Sequence, residues 1–396
     1  MKLSDYVIRF LIEKNIKHVF FLVGGSCAYL VDSLYQHRPD ISPICVQHEQ
    51  AAAMAVDGVW RATGKVGVTC ATSGPGATNL LTGIACSWFD SIPAIHITGQ
   101  VNQRESAQTL GVSVRQAGFQ ETDIVSVAAP LTKWAVQVQS VAELARTLPR
   151  ALRIAQSGRM GPVLIDIPMD VQQEVCTSND LKNAFTFQET WEETGSGGPP
   201  ASDLKAAILE FVKEAERPLF ILGAGLGLSG TMRVVQQFCE ENGIPHVSSW
   251  GGMPFLDRAS EHYFGSLGVY GDRIGNLAVQ SADRIVGLGT RLDNRQRTGN
   301  PSGFAPFARI LVVDIDGEEL GKFAQQSQYS TVNFDLKHVS DVLPSDSRIE
   351  PMAEWVNELR VVKDQFQMTE ETTTVSTTLT PYTAVPVVQS RLKDDA

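Results

Sequence analysis

"KVGVTCATSGPGATNLLTGIACSWFDSIPAIHITGQV", Lys65 to Val101, is the stretch on which the fold is read. It opens as a short apolar run, breaks at Gly74-Pro75-Gly76, continues as a helix through "NLLTGIACSWFD" and returns to an apolar run in "PAIHITGQ". Two strands joined by one helix make a crossover unit, and a crossover places its strands parallel in a sheet covered on both faces.

The same alternation extends both ways. Upstream come amphipathic "DYVIRFLIEKN", strand "HVFFLVGG", helix "CAYLVDSLYQ", strand "SPICVQ" and a small-residue helix; downstream come helix "SVAELARTLPRALRIAQ" and strand "GPVLIDIP". "QETWEETGSGGPPASD", Gln188 to Asp203, is acidic and rich in Gly, Pro and Ser, as a linker is. A second alternating unit follows through "RPLFILGAGLG", "IPHVSSW", "DRIVGLGTRLD" and "ARILVVDID". The expected class is α/β, with two doubly wound parallel-sheet domains. Expected boundaries are a domain over 1–178, a linker over 179–202, a domain over 203–342, a Thr-rich linker over 343–380 and the start of a further element over 381–396.

Composition excludes several classes. The 396 residues carry 44 acidic against 33 basic side chains, a net charge of -11, and no basic tract of the kind nucleic-acid binders use. The six cysteines are scattered without a C-x-x-C pair, which suits a reducing cytoplasm. No apolar run reaches membrane-span length. Neither nucleic acid nor membrane is an expected partner.

Glu49 stands where "PICVQ" gives way to "HEQAAAMAV". It reads either as a first-turn acid favoured by the helix dipole or as an acid at the carboxyl end of a buried parallel strand, where open α/β sheets bind ligands. A carboxyl group held among apolar side chains can share a proton with a ligand nitrogen. "SGPGATN" is by itself equally a turn with a helix start and a ligand loop.

The ordered series "VGGS" (Val23 to Ser26), "HEQAAAMAVDGVWRATG", "SGPGATN" (Ser73 to Asn79), "PAIHITGQV", "GFQETDIV" (Gly118 to Val125) and "SGRMGPVLIDIP" resembles the pyrimidine-binding domain of thiamine-diphosphate enzymes of the acetolactate synthase type. "GSLGVYGDRIGN", "ADRIVGLGTRLDNRQ" and "ARILVVDID" resemble that family's Rossmann-like central domain. The resemblance implies thiamine diphosphate as cofactor. Its aminopyrimidine acts in an imino form, stabilised by an acid on the far ring nitrogen, which is the part of the glutamate matching Glu49. It further implies cofactor contacts from Gly24, Gly25, Ser73, Gly74, Pro75, Gly76 and Asn79, although Val23 stands where the family has proline. Phe119, Gln120 and Lys133 match positions beside the substrate.

In flavin-containing members, FAD is held by segments matching Arg159, Leu267, Gly268 and Asp314, so FAD is a second candidate cofactor. "GAGLGLSG" from Gly223 has Leu228 where a dinucleotide fingerprint has its third glycine. The family holds the diphosphate and Mg²⁺ in a third domain bearing Gly-Asp-Gly, since a hard cation takes oxygen ligands. No Gly-Asp-Gly occurs in this sequence, so no metal ligand is assigned. Residues 381–396 resemble the helix that opens that domain. The expectation is a fragment, a truncated gene product or a chain completed by another one, inactive by itself.

The expected activity is carboligation and decarboxylation of 2-oxo acids, with pyruvate as donor, in a cytoplasmic homodimer or homotetramer. A non-catalytic subunit or FAD-binding scaffold that keeps the fold is the alternative.

Overall fold

The computed structural model describes residues 1–177, 198–343 and 353–369, with the single residues 384, 388 and 391. The chain divides into two compact units, Met1–Gly195 and Ser196–Ala396. Each is built on one six-stranded, all-parallel sheet, as the alternating pattern predicts.

The first sheet contains β1 (His18–Phe21), β2 (Ser42–Cys45), β3 (Gly67–Ala71), β4 (Ala94–Gln100), β5 (Trp134–Gln137) and β6 (Val163–Pro168), in the order β2-β1-β3-β4-β6-β5. The period of two along a strand divides its residues between two unlike faces. Val68, Cys70, Ile95, Ile97, Val163 and Ile165 join a large apolar core with α1 (Leu3–Glu13), α2 (Ala28–Gln36) and the helix Val141–Gln156. The opposite face is thinner and more polar. Ala71 and Leu164 meet Ala53, Leu80 and Ile84 there, from α3 (Glu49–Thr63) and the turn into α5 (Leu81–Phe89), while Thr69, His96, Thr98 and Asp166 are buried on the same side.

Small residues let the two helices approach on that face. A Cβ on Gly83 would lie 2.4 Å from Cβ of Ala53, so α3 and α5 touch nearly backbone to backbone. The short helix α4 (Pro75–Asn79) precedes α5.

The second sheet contains β7 (Pro218–Leu222), β8 (His246–Ser248), β9 (Tyr263–Ser266), β10 (Arg284–Leu288), β11 (Arg309–Asp314) and β12 (Tyr329–Asn333), in the order β12-β11-β10-β7-β8-β9. Chain order reverses between β7 and β10. At this switch point the loops meet closely, with the Gly225 N–H donating to the Gly289 carbonyl at 2.9 Å.

Two corrections follow. Residues 353–369, expected within a linker, form the helix Ala353–Thr369, whose Trp355, Val356 and Leu359 are buried in the second unit's core. Trp355, Leu359, Val362 and Phe366 recur at helical spacing, and the Trp355 Nε1–H donates to the Pro218 carbonyl at 3.1 Å. Second, β2 is an exposed edge strand rather than a buried one, because only β1 pairs with it. The remaining expected linker residues lie almost wholly outside the described residues, as does 381–396. Among the described residues no helix is long and apolar enough to cross a membrane.

Candidate functional site

Glu49 is the first residue of α3. His48 caps the helix from extended backbone, its Nδ1 accepting the Gln50 N–H at 3.1 Å. Although β2 is exposed, Glu49 retains only 6% of its accessible surface, because α4 covers it. Asn79, at the end of α4, donates from Nδ2 to Glu49 Oε2 at 3.0 Å. Among the described residues no hydrogen bond engages Oε1. That oxygen faces Gly76, where a Cβ would stand 3.2 Å from Oε1 and 2.7 Å from Cγ2 of Thr72. The absent side chain keeps a small gap open beside one carboxylate oxygen.

The loop before α4 is built to bring these groups in. Gly74 has φ +62°, a left-handed conformation that glycine takes without strain, and Pro75 starts the helix with φ already set. Ser73, buried, shares a 2.8 Å hydrogen bond with Ser26 Oγ, and the Ser26 N–H donates to Thr72 Oγ1 at 3.1 Å. The Val23–Ser26 turn therefore lies against the loop after β3. A Cβ on Gly24 would fall 2.5 Å from Thr72 Cβ, whereas Gly25 faces open space.

The third wall is the segment Gly118–Asp123. Gln120 is held at φ +59°, and a Cβ on Gly74 would lie 2.8 Å from its carbonyl oxygen. Glu121 accepts N–H groups from Ala107 at 2.8 Å, Ala117 at 3.0 Å and Gly118 at 3.2 Å. Burial pushes its pKa up, but the three N–H groups outweigh that and hold it below the ordinary glutamate value. Phe119 projects outward, 81% exposed.

Glu49, Gly24, Gly25, Ser73, Gly74, Pro75, Gly76, Asn79 and Gln120 thus gather where β1 and β3 end, the edge at which such sheets bind ligands. Lys133 does not join them. It precedes β5, at the opposite edge, and its Nζ donates to the Ser157 carbonyl at 2.5 Å. Arg159 is on that same far edge, with Nε donating to Ser91 Oγ at 3.0 Å.

In the second unit Leu267 is buried in the core, and Gly268 exchanges two hydrogen bonds with the Asn276 side chain, at 2.8 and 3.0 Å. Asp314 ends β11 and accepts the Asp316 N–H at 3.0 Å. Three strands lie between β9 and β11, so only an elongated ligand laid along the edge reaches both residues.

Residues 1–127 match the family model "thiamine pyrophosphate enzyme, N-terminal TPP binding domain", and residues 205–337 match "thiamine pyrophosphate enzyme, central domain". The chain belongs to the thiamine pyrophosphate enzyme family. Among its relatives, the acetolactate synthase isozyme 2 large subunit of Escherichia coli K12 is 37% identical over 322 residues, covering 81% of this chain and 55% of that protein. The Lactococcus lactis acetolactate synthase large subunit is 33% identical over 385 residues, 97% of this chain and 61% of that protein. The chloroplastic acetolactate synthase 1 of Zea mays is 32% identical, covering 99% of this chain and 60% of that protein. The chain spans little more than half the length of these relatives.

Sequence reasoning passed over Thr72 and Ser26, which fasten the two glycine loops together. Neither carries a signal beyond its place by a glycine turn: Ser26 follows Gly25, and Thr72 precedes Ser73-Gly74.

Proposed function

We propose that the chain supplies the pyrimidine-binding side of a thiamine-diphosphate-dependent carboligase of 2-oxo acids, acetolactate-synthase-like, with pyruvate as donor. The observation that carries this is the state of Glu49: buried, with Oε2 held by Asn79 and Oε1 free beside the gap at Gly76. A rigid acid with one oxygen committed and one available is what a ring nitrogen needs as partner.

When bound, thiamine diphosphate supplies the nucleophile and electron sink for decarboxylation and carbon–carbon bond formation. The chain's own residues do the rest. Glu49 Oε1 shares a proton with the pyrimidine nitrogen, and Asn79 keeps the carboxyl group from rotating away. The Gly24 and Gly74–Gly76 backbones form the walls, while Gln120 and Phe119 border the substrate. Among the described residues no group of three His, Cys, Asp or Glu side chains is placed to hold a metal ion. On the family likeness, the reading leaves the diphosphate and Mg²⁺ contacts to a third domain of the assembly.

The partner is a second copy of the chain. On α3 and α5 the residues Ala51, Met54, Gly58, Cys86 and Phe89 are exposed at helical spacing, an apolar face next to the site. FAD along the edge of the second sheet, touching Gly268 and Asp314, is proposed on the family likeness alone.

The test is CO₂ release from pyruvate by the chain, alone and in the assembly in which it occurs, with thiamine diphosphate and Mg²⁺. Thiamine-diphosphate-dependent release that disappears in Glu49→Gln supports the reading. Release that persists in that variant, or that never depends on the cofactor, overturns it.

A further inference from the structure

Asp166 is a carboxylate on β6, beside the β5 edge of the first sheet, 1% exposed, with no place in the site described above. Strand register accounts for its neighbours. On β6 it is paired with Thr98 of β4 on one side and Gln137 of β5 on the other, and the period of two brings Gln100 to the same face. Thr98 Oγ1 donates to Oδ1 at 2.6 Å; Gln100 Nε2 and Gln137 Nε2 donate to Oδ2 at 3.1 and 2.9 Å. Among the described residues three side-chain donors bond to it. Burial nonetheless raises its pKa, with the hydrogen bonds opposing. A buried ion pair or carboxylate is weak evidence for stability and is better explained by something it orients.

What it orients is Gln100. The amide of Gln100 uses every polar site it has. Its oxygen accepts the Val101 N–H at 3.0 Å, and its nitrogen donates both to Asp166 and to the Thr122 carbonyl at 2.9 Å. The acceptors on either side forbid an amide flip. Thr122 lies in the segment Gly118–Asp123, whose Gln120 is held at φ +59° against Gly74. A non-glycine residue in that conformation is strained and persists only where its surroundings impose it. The Gln100 bond to Thr122 is one such constraint; the Glu121 carboxylate, tied to Ala107, Ala117 and Gly118, and the Gln116 Oε1 that accepts the Gln120 N–H at 3.1 Å are others.

We propose that Asp166 is a positioning residue that, by fixing the Gln100 amide, holds the Gly118–Asp123 segment against the cofactor loop. The consequence for substrate rests on the reading of Gln120 and Phe119 as the substrate border. Asp166→Ala removes both acceptor oxygens, so the Gln100 amide loses its hold and releases Thr122.

The test is a double-mutant cycle read by amide exchange of peptides covering 115–124, in the full chain, beside the thermal midpoint. Gln100→Met removes the bridge; Thr98→Val removes one bond to Asp166 and leaves the bridge intact. Asp166→Ala and Gln100→Met are each expected to speed exchange in this segment about tenfold or more. Combined, they should give no more than Gln100→Met alone, since interacting residues are non-additive. Thr98→Val lowers the midpoint without that local effect. Additive effects, or segment exchange that follows the midpoint across all variants, overturn the proposal. If Asp166→Ala does not fold, the contrast between Gln100→Met and Thr98→Val decides in the same way. A KM for pyruvate that rises in Gln100→Met with kcat unchanged places the segment at the substrate. Loosened exchange without any change in KM leaves the positioning intact and counts against that placement.

Discussion

Asn79 holds one oxygen of Glu49 at 3.0 Å while Gly76 leaves room beside the other. The two come from one five-residue helix, so a single element both fixes the acid and opens the space before it. A first-turn acid placed only for the helix dipole would need neither.

Glu49→Gln should keep the fold, because the amide oxygen can still accept from Asn79. It cannot take up and return the proton, and general acid–base contributions are typically about 10²–10⁴-fold. Turnover in any active assembly containing the chain should fall by that order with the melting temperature nearly unchanged. Turnover at the wild-type rate would remove Glu49 from the chemistry.

Gly76→Ala should lose thiamine diphosphate affinity and destabilise the first unit by about 1–3 kcal/mol, the usual consequence of overpacking. The new methyl would fall 2.7 Å from Thr72 Cγ2. Thr72→Ser, which removes that methyl, should restore most of the stability without restoring affinity, since Oε1 stays covered. Urea midpoints and a cofactor titration measure the two separately.

Burial pushes the pKa of His96 down to about 3, in a site where its Nδ1 meets Thr69 Oγ1 at 2.9 Å and its Nε2 has no partner among the described residues. The unfolded chain binds this proton near pH 6.5, well before the native one does. Stability from the neutral ring is therefore complete above about pH 6.5 and declines as pH falls toward 3, by about 1.4 kcal/mol per pH unit. His96→Gln should flatten the pH dependence of first-unit stability between pH 6 and 4 by about one proton. An unchanged slope would show that His96 titrates normally.

The α3–α5 face should mediate self-association. Phe89 and Met54 are 58% and 42% exposed there, and Met54→Glu with Phe89→Glu would place charges in any interface they form. Sedimentation at micromolar concentration should show a dimer that this double variant dissociates. A strict monomer in the wild type would refute the assignment.

Most of the architecture was legible in the residues alone, since buried parallel strands announce themselves as apolar runs between helices. β1, β3, β4, β6, β7, β8, β10 and β11 all lie inside the apolar runs read from the sequence. The three strands that the sequence does not announce, β5, β9 and β12, are edge strands, and β9 is interrupted by Gly265 at φ +82°. An edge strand has a partner on one side only, so "WAVQ" and "YSTVN" need no continuous apolar pattern. Likewise Glu49, Asn79 and Gly76 were legible as a family pattern, whereas the separation of Lys133 from them was not. Which edge of a sheet a loop occupies depends on whether it precedes or follows its strand. For Lys133 that rested on β5, a strand the sequence concealed. The Asp166–Gln100–Thr122 chain was decided by tertiary structure alone, because a hydrogen bond across strands 66 residues apart depends on register, and register is set by the packing of the whole sheet.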